Sequence, residues 1–548
     1  MQAFSSTTPN LRVAICVLFL IVPRMMAATS WTGGAALPDW SNASNWSNGV
    51  PGAAEDASFL TTYGNGTTIH VDGTQQPRRL DLNHGAFALT FTNGTIAPQA
   101  TGTSGIGSFL RQTGASGNVS IRSAVAIADY YVNGAAMFNI SGSGSIEFAG
   151  PISLGTQTNT HNMIQMANTA TLILSGPITG VSSGADVRIV ANLAAGNRLI
   201  LSGDNSNWTV TGGASFRHTG QGTVIIAHPN ALGPATRAFV SGGGDAGSVG
   251  ATRTNLLGGA FTFTRNTTEL RNDADIILGT DIASGKAVWN CPIDMNMAPT
   301  NASYIHPVIF AALQSDGAIE FNQVIRDRSA TGTNARPVQV SGAGTVIFSA
   351  ANTYTAGTTI YSGTLLVNNA TGSGTGTGAV LVHSAATLGG TGLVSGAVTV
   401  NGALSPGNSS GTLTLQNSVT FNPGSVFRIE LSAADNYDQL IANGVTINGG
   451  ALELLLGFVP SSNDTFTILN NTALGAMVGT FTNLAEGGII VASYNAVDYQ
   501  FQASYNGGTG NDLVLTVIPE PESFLLTVLG LLPLIARRRA KPSIHGGQ

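Results

Sequence analysis

Charged side chains are scarce in this sequence. They make up 9% of its 548 residues, against about 25% in an ordinary globular domain. Outside the terminal segments 1–28 and 518–548, the chain has 16 basic and 26 acidic residues, which gives that stretch a net charge of −10. It contains no basic stripe of the kind that nucleic-acid binding requires. We therefore expect no nucleic-acid partner.

Cysteine and clustered histidine are also lacking. Cys16 lies in the N-terminal segment, which leaves Cys291 alone in the rest of the chain, so no internal disulfide is expected and Cys291 is interpreted as a core residue. None of the eight histidines is at metal-ligand spacing from another histidine or from a cysteine. No phosphate-binding loop opens a helix, and no serine lies in a nucleophile elbow. We expect no catalytic site, cofactor or metal, and the chain is not predicted to be an enzyme.

Glycine, by contrast, is abundant, with 70 residues, and apolar residues make up 43% of the chain. This apolar fraction is enough to build a core, which excludes a disordered tract. Glycine and small polar residues favour short strands separated by many turns. The composition therefore predicts an all-β protein.

The N-terminal segment has the pattern of a secretory signal peptide. A basic residue, Arg12, precedes the apolar run 13–22, and the small residues Ala27 and Ala28 follow. The run of about ten residues is shorter than the roughly 20 that cross a bilayer. We therefore predict a signal peptide at 1–28 and export from the cytoplasm.

The C-terminal segment combines a Pro-Glu-Pro motif, the apolar stretch 524–536 and a basic cluster. The residues of the motif and the cluster are Pro519, Glu520, Pro521, Arg537, Arg538 and Arg539. The arginines would stay at the cytoplasmic face of the membrane. The segment 518–548 resembles the PEP-CTERM sorting signal of Gram-negative bacteria. That resemblance implies an exosortase-type processing enzyme as a partner, a short anchor helix held transiently in the inner membrane, and release to the cell surface or extracellular matrix.

The stretch between the termini is repetitive. The segment GSIEF at 144–148 returns as GAIEF at 317–321, and TLILSGPI at 171–178 is related to both. A second motif, LILSGDNS at 199–206, matches TVIFSAANTYT at 345–355. Strands this short form no independent sandwich, but stacked coils bury one continuous aliphatic column. The sequence therefore predicts a right-handed parallel β-solenoid, degenerate over 61–343, in which 230–340 is left open as a separate subdomain.

Residues 344–430 are the most regular part. Val398 and Val400 alternate with Thr399, which places the two valines on one face of a strand. The region is similar to the autotransporter-associated β-strand repeat in its segments NTYTAGTT (352–359), GTL (363–365), TLGGTG (387–392) and LSPGNS (404–409). The resemblance implies a β-helix of the passenger-domain type on a secreted protein.

Caps are expected at both ends of the solenoid. The segment 29–60 contains Trp31, Trp40 and Trp46, which are interpreted as a hydrophobic N-terminal cap, with a carbohydrate-stacking platform as the alternative. Longer strands at 431–517 predict a C-terminal β cap.

Three acidic groups are candidate chemical sites. Asp273 and Asp275, with Asp281 beyond them, could form a calcium or acid–base site, and Asp435 with Asp438 is a second close pair. The segment 507–515 fits a calcium-binding nonapeptide, although a glycine-rich hairpin explains it equally well. Solvated loop aspartates remain the default interpretation of both pairs.

These observations predict an exported, exosortase-sorted, non-catalytic surface or matrix protein with a structural or adhesive role. Extracellular polysaccharide is a candidate partner. The alternative is a β-helix polysaccharide lyase or hydrolase that acts on extracellular polysaccharide.

Overall fold

Strands dominate the part of the chain that the structure, a computed structural model, describes. It describes residues 28–519 except 61–65, 84, 86–87, 100–107, 115–116, 128–135, 158–161, 183–188, 244–250, 272, 298–303 and 329–333. Within those residues the only helix is a single 3-10 turn at Ala43–Asn45. The all-β prediction is confirmed, whereas the predicted signal and anchor helices lie outside the described residues.

The strands form four sheets, of which the first runs along the N-terminal and middle parts of the chain. Its twelve strands, in spatial order, are Ala28–Ser30, Asp56–Leu60, Arg79–Asn83, Leu110–Gln112, Phe138–Ile140, Asn162–Met166, Ile189–Leu193, Phe216–Gly220, Phe239–Ser241, Thr268–Leu270, Ile293–Asn296 and Ile325–Arg328. Sheet 2 covers a second face of the N-terminal coils with Thr74–Gln75, Thr95–Ile96, Ala124–Ala126, Ile152–Gln157, Ile178–Ser182 and Trp208–Val210.

Sheet 3 extends along almost the whole described chain. Its strands are Thr67–His70, Leu89–Thr92, Val119–Ile121, Gly144–Phe148, Ala170–Leu174, Arg198–Leu201, Thr223–Ile226, Thr252–Leu257, Thr262–Thr264, Asp275–Thr280, Ser284–Asn290, Val308–Ala312, Asp316–Phe321, Val338–Gly342, Thr345–Phe348, Thr358–Val367, Val380–Gly390, Val398–Val400, Ala403–Pro406, Val419–Phe421, Val426–Ala433, Asn436–Tyr437, Val445–Ile447 and Ala451–Leu456. Sheet 4 closes the C-terminal end with Leu393–Val394, Thr412–Leu415, Gln439–Ala442, Thr465–Asn471, Ile489–Tyr494, Val497–Gly507 and Asp512–Val517.

Successive coils stack these strands in parallel register, which confirms the predicted β-solenoid. Ile146, Leu172 and Leu199 are partners on three consecutive strands of sheet 3, so a coil there takes 26 or 27 residues. Farther along, Thr358 pairs with Val380 and Val380 pairs in turn with Val398, so the coils shorten to 22 and then 18 residues. The regular repeat at 344–430 therefore corresponds to the most compact coils.

The alternation of side chains builds the core. Val398 and Val400 are buried and Thr399 between them is half-buried, as the sequence predicts. The same pattern along neighbouring strands forms one continuous column of buried aliphatic and aromatic side chains through the stack. Such a column stabilises coils that could not fold singly.

The stretch 230–340 is part of the same solenoid. The strands Phe239–Ser241 to Ile325–Arg328 continue sheet 1, and Thr252–Leu257 to Val338–Gly342 continue sheet 3. Coils here are long, because Ile277, Ile309 and Gln339 are stacked partners 32 and 30 residues apart. This lengthening hides the repeat in the sequence.

The two ends of the stack differ. At the N-terminal end the three tryptophans pack against each other and against Phe59, with Trp31 and Trp46 in edge-to-face contact at 5.1 Å between ring centres. At the C-terminal end the last three strands of sheet 4 pair antiparallel, from Ile489–Tyr494 to Asp512–Val517. The chain then leaves sheet 4 at Pro519, which is exposed.

Candidate functional site

The sorting motif begins where the described chain ends. Pro519 is exposed directly after the last strand of sheet 4. The other predicted sorting residues, Glu520, Pro521 and Arg537 to Arg539, lie outside the described residues, as does the apolar stretch 524–536. Among the described residues, no helix is long and apolar enough to cross a membrane.

The tryptophans of the N-terminal segment are core residues. Trp31, Trp40 and Trp46 are 3%, 0% and 4% exposed, and the indole nitrogen of Trp46 donates to the carbonyl of Trp40 at 2.7 Å. A sugar ring needs an exposed aromatic face on which to stack. The carbohydrate-stacking alternative is therefore wrong for these three side chains.

Asp273 and Asp275 have structural partners. Asp273 pairs with Arg253 at 3.0 Å and accepts the backbone N–H of Gly243 at 2.6 Å. Asp275 pairs with Nδ1 of His306 at 2.8 Å. The two carboxylates are thus engaged in separate ion pairs, and their arrangement favours a structural role over a calcium or acid–base site. Among the described residues, no three His, Cys, Asp or Glu side chains come together as a metal would require.

Between these two ion pairs lies a buried arginine that sequence reasoning missed. Arg336 is fully buried and donates to five backbone carbonyls at 2.7–3.4 Å, those of Leu270, Arg271, Ala274, His306 and Pro307. Burial lowers the pKa of Arg336 to about 9, against the opposing effect of the charges of Asp273 and Asp275. A single arginine in a loop carries no sequence signal of this role.

Asp435 and Asp438 are not equivalent, although the sequence places them together. Asp435 is exposed, whereas Asp438 is 1% exposed and accepts the backbone N–H groups of Gly411 and Glu430 at 3.0 and 2.8 Å. Burial raises the pKa of Asp438 to about 7, and the nearby charge of Glu430 acts in the same direction. The structure therefore couples Asp438 to Glu430.

Asp438 and Glu430 line a small cavity of about 290 Å³ on the C-terminal part of the solenoid. Glu430 accepts the hydroxyl of Ser432 at 2.8 Å. Arg428, on the same strand, also lines the cavity and forms an ion pair with Glu453 at 2.9 Å. The cavity thus combines a buried carboxyl of raised pKa with a second carboxylate.

The glycine-rich segment 507–515 is a hairpin turn. Gly507 pairs with Asp512 across the last two strands. The carboxylate of Asp512, which is 3% exposed, accepts the backbone N–H groups of Thr509 and Asn471 at 2.9 and 2.8 Å. Because these donors satisfy the carboxylate within the protein, the geometry favours the hairpin interpretation over the calcium one.

Two further polar groups are buried deeply. Cys291 is 1% exposed, and burial raises the pKa of its thiol to about 11, so the prediction that it is a core residue is confirmed. His218 is fully buried, with Nδ1 at 2.7 Å from Oδ1 of Asn255. Burial lowers the pKa of His218 to about 3. Neither side chain is accessible to a substrate.

The largest polar surface feature is a groove of about 640 Å³ on the outer face of sheet 1. One column of stacked residues crosses it, one from each of five consecutive strands. In order, the column is Arg217, Val240, Glu269, Asp294 and Arg326. No sequence motif predicts this column, because its members are separated by coils of unequal length.

Ion pairs hold the charged side of the groove. Asp294, whose side chain is 4% exposed, binds Arg326 at 2.6 Å and Arg328 at 3.2 Å. Arg328 also binds Glu269 at 2.9 Å, and this hydrogen bond raises the pKa of Arg328. The side chains of both arginines remain 48% exposed. Their charge is therefore positioned and open to solvent.

The comparison with protein families gives one match. The model of the passenger-associated transport repeat matches residues 339–367, which cover the strand Thr345–Phe348 and its neighbour Thr358–Val367. The match overlaps the first part of the predicted repeat region 344–430. None of the curated proteins matches the chain. The repeat and the solenoid fit a passenger-type β-helix protein that is secreted or displayed at the surface of a Gram-negative bacterium.

Proposed function

We propose that this protein is an exported, non-catalytic β-solenoid of the cell surface or extracellular matrix with a structural or adhesive role. The observation that carries the proposal is the passenger-associated repeat at 339–367, built into an uninterrupted stack of parallel coils. A long stack of this kind presents extended, regular lateral faces, which suits a scaffold or a binding surface. The exposed strand ends that a solenoid would otherwise offer are covered by the tryptophans at one end and by sheet 4 at the other.

Sorting by an exosortase-type enzyme is part of the proposal. The apolar stretch 524–536 would be about 20 Å long as a helix, which is shorter than the roughly 30 Å hydrocarbon core. Such a segment suits a temporary stop better than a permanent anchor. Pro519 leaves the last strand exposed, so a processing enzyme could reach the motif without unfolding sheet 4.

The test is the intact mass of the surface-extracted protein from its native host. We expect a mature form that lacks the signal segment 1–28 and everything after about residue 521. Replacing Pro519, Glu520 and Pro521 by alanine should leave the uncut precursor in the inner membrane, whereas Lys541→Ala, a tail substitution outside the motif, should be processed normally. A mature surface form that retains His545 would refute processing. Normal surface delivery of the alanine variant would show that the motif is not the signal.

The cavity at Asp438 favours one second candidate, hydrolysis of an extracellular polysaccharide. Glycoside hydrolysis uses two carboxyl groups, of which the acid has a raised pKa, and Asp438 with Glu430 offers such a pair. Against it, both oxygens of Asp438 already accept backbone N–H groups. Release of reducing ends from a polysaccharide panel, abolished by Glu430→Gln and retained by Asp435→Asn, would establish the enzyme. No release by the wild-type protein would leave the non-catalytic role standing.

A further inference from the structure

The groove on sheet 1 carries a charge opposite in sign to that of the whole chain. Its charged lining residues are four arginines and two acids, which gives it a net charge of +2, whereas the chain has a net charge of −6. The four arginines are Arg217, Arg271, Arg326 and Arg328. In a chain with 22 basic residues in all, this concentration on one lateral face is the strongest positive feature of the described surface.

The groove has the length of an extended ligand. From Arg217 to Arg326 the stacked column makes four strand-to-strand steps, which correspond to about 19 Å at the usual spacing of neighbouring strands. A point ligand such as a free anion would engage one arginine only. Charges spaced along a rigid sheet match a polymer that repeats its own charge.

One side of the groove is apolar. Val240 packs with Val190 and Ala214 in a small cluster on the outer face of sheet 1, apart from the main core, and Ala238 packs against it. Three of these residues, Ala214, Ala238 and Val240, line the groove beside the arginines. A sugar ring combines an apolar face with polar substituents, so an acidic sugar would meet both kinds of surface.

We propose that this groove binds an anionic polysaccharide through its carboxylate or sulfate groups. Arginine suits both groups because its planar guanidinium pairs with their oxygens in a bidentate manner. Nucleic acid fits less well, because no aromatic side chain lines the groove for base stacking. The proposal rests on the proposed surface location only for where the ligand would be met, and it assigns the adhesive role to a defined site.

The preformed ion pairs explain how the groove would keep its shape without a ligand. Asp294, almost fully buried, holds Arg326 and Arg328 on the same side. Their exposed N–H groups remain available, because a guanidinium has five donors. A carboxylate or sulfate can therefore add to the network without breaking it.

The experiment is calorimetric titration of the purified full-length protein with size-matched oligosaccharides. The probes are a galacturonate oligomer, a sulfated oligosaccharide, an uncharged dextran oligomer and a single-stranded DNA of similar charge. We expect binding of the carboxylated or the sulfated probe, and comparing the two identifies the acidic group. Binding should weaken as sodium chloride is raised, because salt screens exposed charges. The dextran should not bind.

The variants separate the groove from the rest of the surface. Arg326→Gln with Arg328→Gln should weaken binding at least about tenfold, because each hydrogen bond between charged groups contributes about that factor or more. Glu269→Gln raises the net charge of the groove by one and should strengthen binding, a gain that misfolding cannot produce. The matched control is Arg428→Gln, which removes a similarly exposed, ion-paired arginine outside the groove and should leave binding unchanged.

Three results would overturn the proposal: no binding of either acidic probe, equal loss in the groove and control variants, or DNA binding as tight as that of the acidic sugars. These outcomes are independent of the sorting experiment, because binding is measured with purified protein. A protein that reaches the surface but ignores acidic sugars would refute the groove alone. A protein that binds them but stays in the inner membrane would refute the proposed sorting alone.

Discussion

Asn205 and Asn352 make the same pair of hydrogen bonds in two distant parts of the solenoid. Oδ1 of Asn205 accepts the N–H of Ile178 at 2.6 Å and its Nδ2 donates to the carbonyl of Ala231 at 2.6 Å. Asn352 does the same with Ile325 at 2.8 Å and Gly374 at 2.6 Å. Each asparagine therefore ties the preceding coil to a later segment of the stack.

Replacing Asn352 by alanine should destabilise the solenoid. Asn352 is 3% exposed, so the substitution leaves a buried N–H and a buried carbonyl without partners. We expect a loss of about 2–4 kcal/mol in the free energy of unfolding, measured by urea titration. Asn408→Ala, at an exposed asparagine of the same region, should change it by less than about 0.5 kcal/mol. Equal stability of the two variants would contradict the bridging role.

The sequence could predict this equivalence because the motifs repeat their polar positions. The glutamates of GSIEF and GAIEF, Glu147 and Glu320, accept the hydroxyls of Ser175 and Ser349, each at 2.7 Å. Matching letters thus correspond to matching contacts between coils. The all-β solenoid and its short strands follow from the same periodicity.

The groove and the buried arginine could not be predicted in this way. Arg217 and Arg326 belong to one column only because the coils between them have the lengths they have. Arg336 finds its five carbonyls in three separate stretches of chain. These sites depend on how coils of unequal length align, which local sequence does not encode. The acidic pair fails for a related reason: neighbours in sequence, Asp435 and Asp438 lie one outside and one inside the fold.

His218 should make the protein less stable in acid. Burial lowers its pKa in the folded state to about 3 from the ordinary 6.5, so between these values the unfolded chain binds a proton that the folded chain does not. The free energy of unfolding therefore falls as the pH falls, by about 1.5 kcal/mol from pH 6.5 to 5. His218→Gln should lose this part of the pH dependence in urea titrations, and His383→Gln, a surface control, should keep it. An unchanged profile in His218→Gln would refute the assignment.

Gly390 and Gly424 separate crowding from backbone strain. Both have positive φ, +105° and +82°, but a Cβ at Gly390 would lie 2.2 Å from the carbonyl oxygen of Val367, whereas Gly424 has open space. We expect Gly424→Ala to cost about 1 kcal/mol from its left-handed backbone alone. Gly390→Ala should cost about 1–3 kcal/mol more because coils must move apart. Thermal unfolding of the two variants under one condition measures the difference, and equal melting temperatures would contradict it.

Asp438 should have the opposite pH dependence to His218. Its pKa is raised to about 7 in the folded protein from 3.8, so between these values the folded state holds a proton that the unfolded chain has released. The contribution of Asp438 to stability is therefore present below pH 3.8 and is lost as the pH rises towards 7. Asp438→Asn removes this titration, but its amide nitrogen cannot accept a backbone N–H, which leaves the donor of Gly411 or Glu430 unpaired.

At pH 5 we therefore expect Asp438→Asn to be less stable than the wild type by about 1–3 kcal/mol, with a smaller difference at pH 7.5. Urea titrations at the two pH values measure both quantities. Asp435→Asn is the matched control, since the same substitution three residues away affects an exposed side chain and should leave the wild-type profile intact. If Asp438→Asn follows the wild-type pH dependence, then the carboxyl of Asp438 does not titrate between pH 5 and 7.5. In that case the cavity it shares with Glu430 holds two ordinary carboxylates, and the hydrolytic alternative loses the general acid on which it depends.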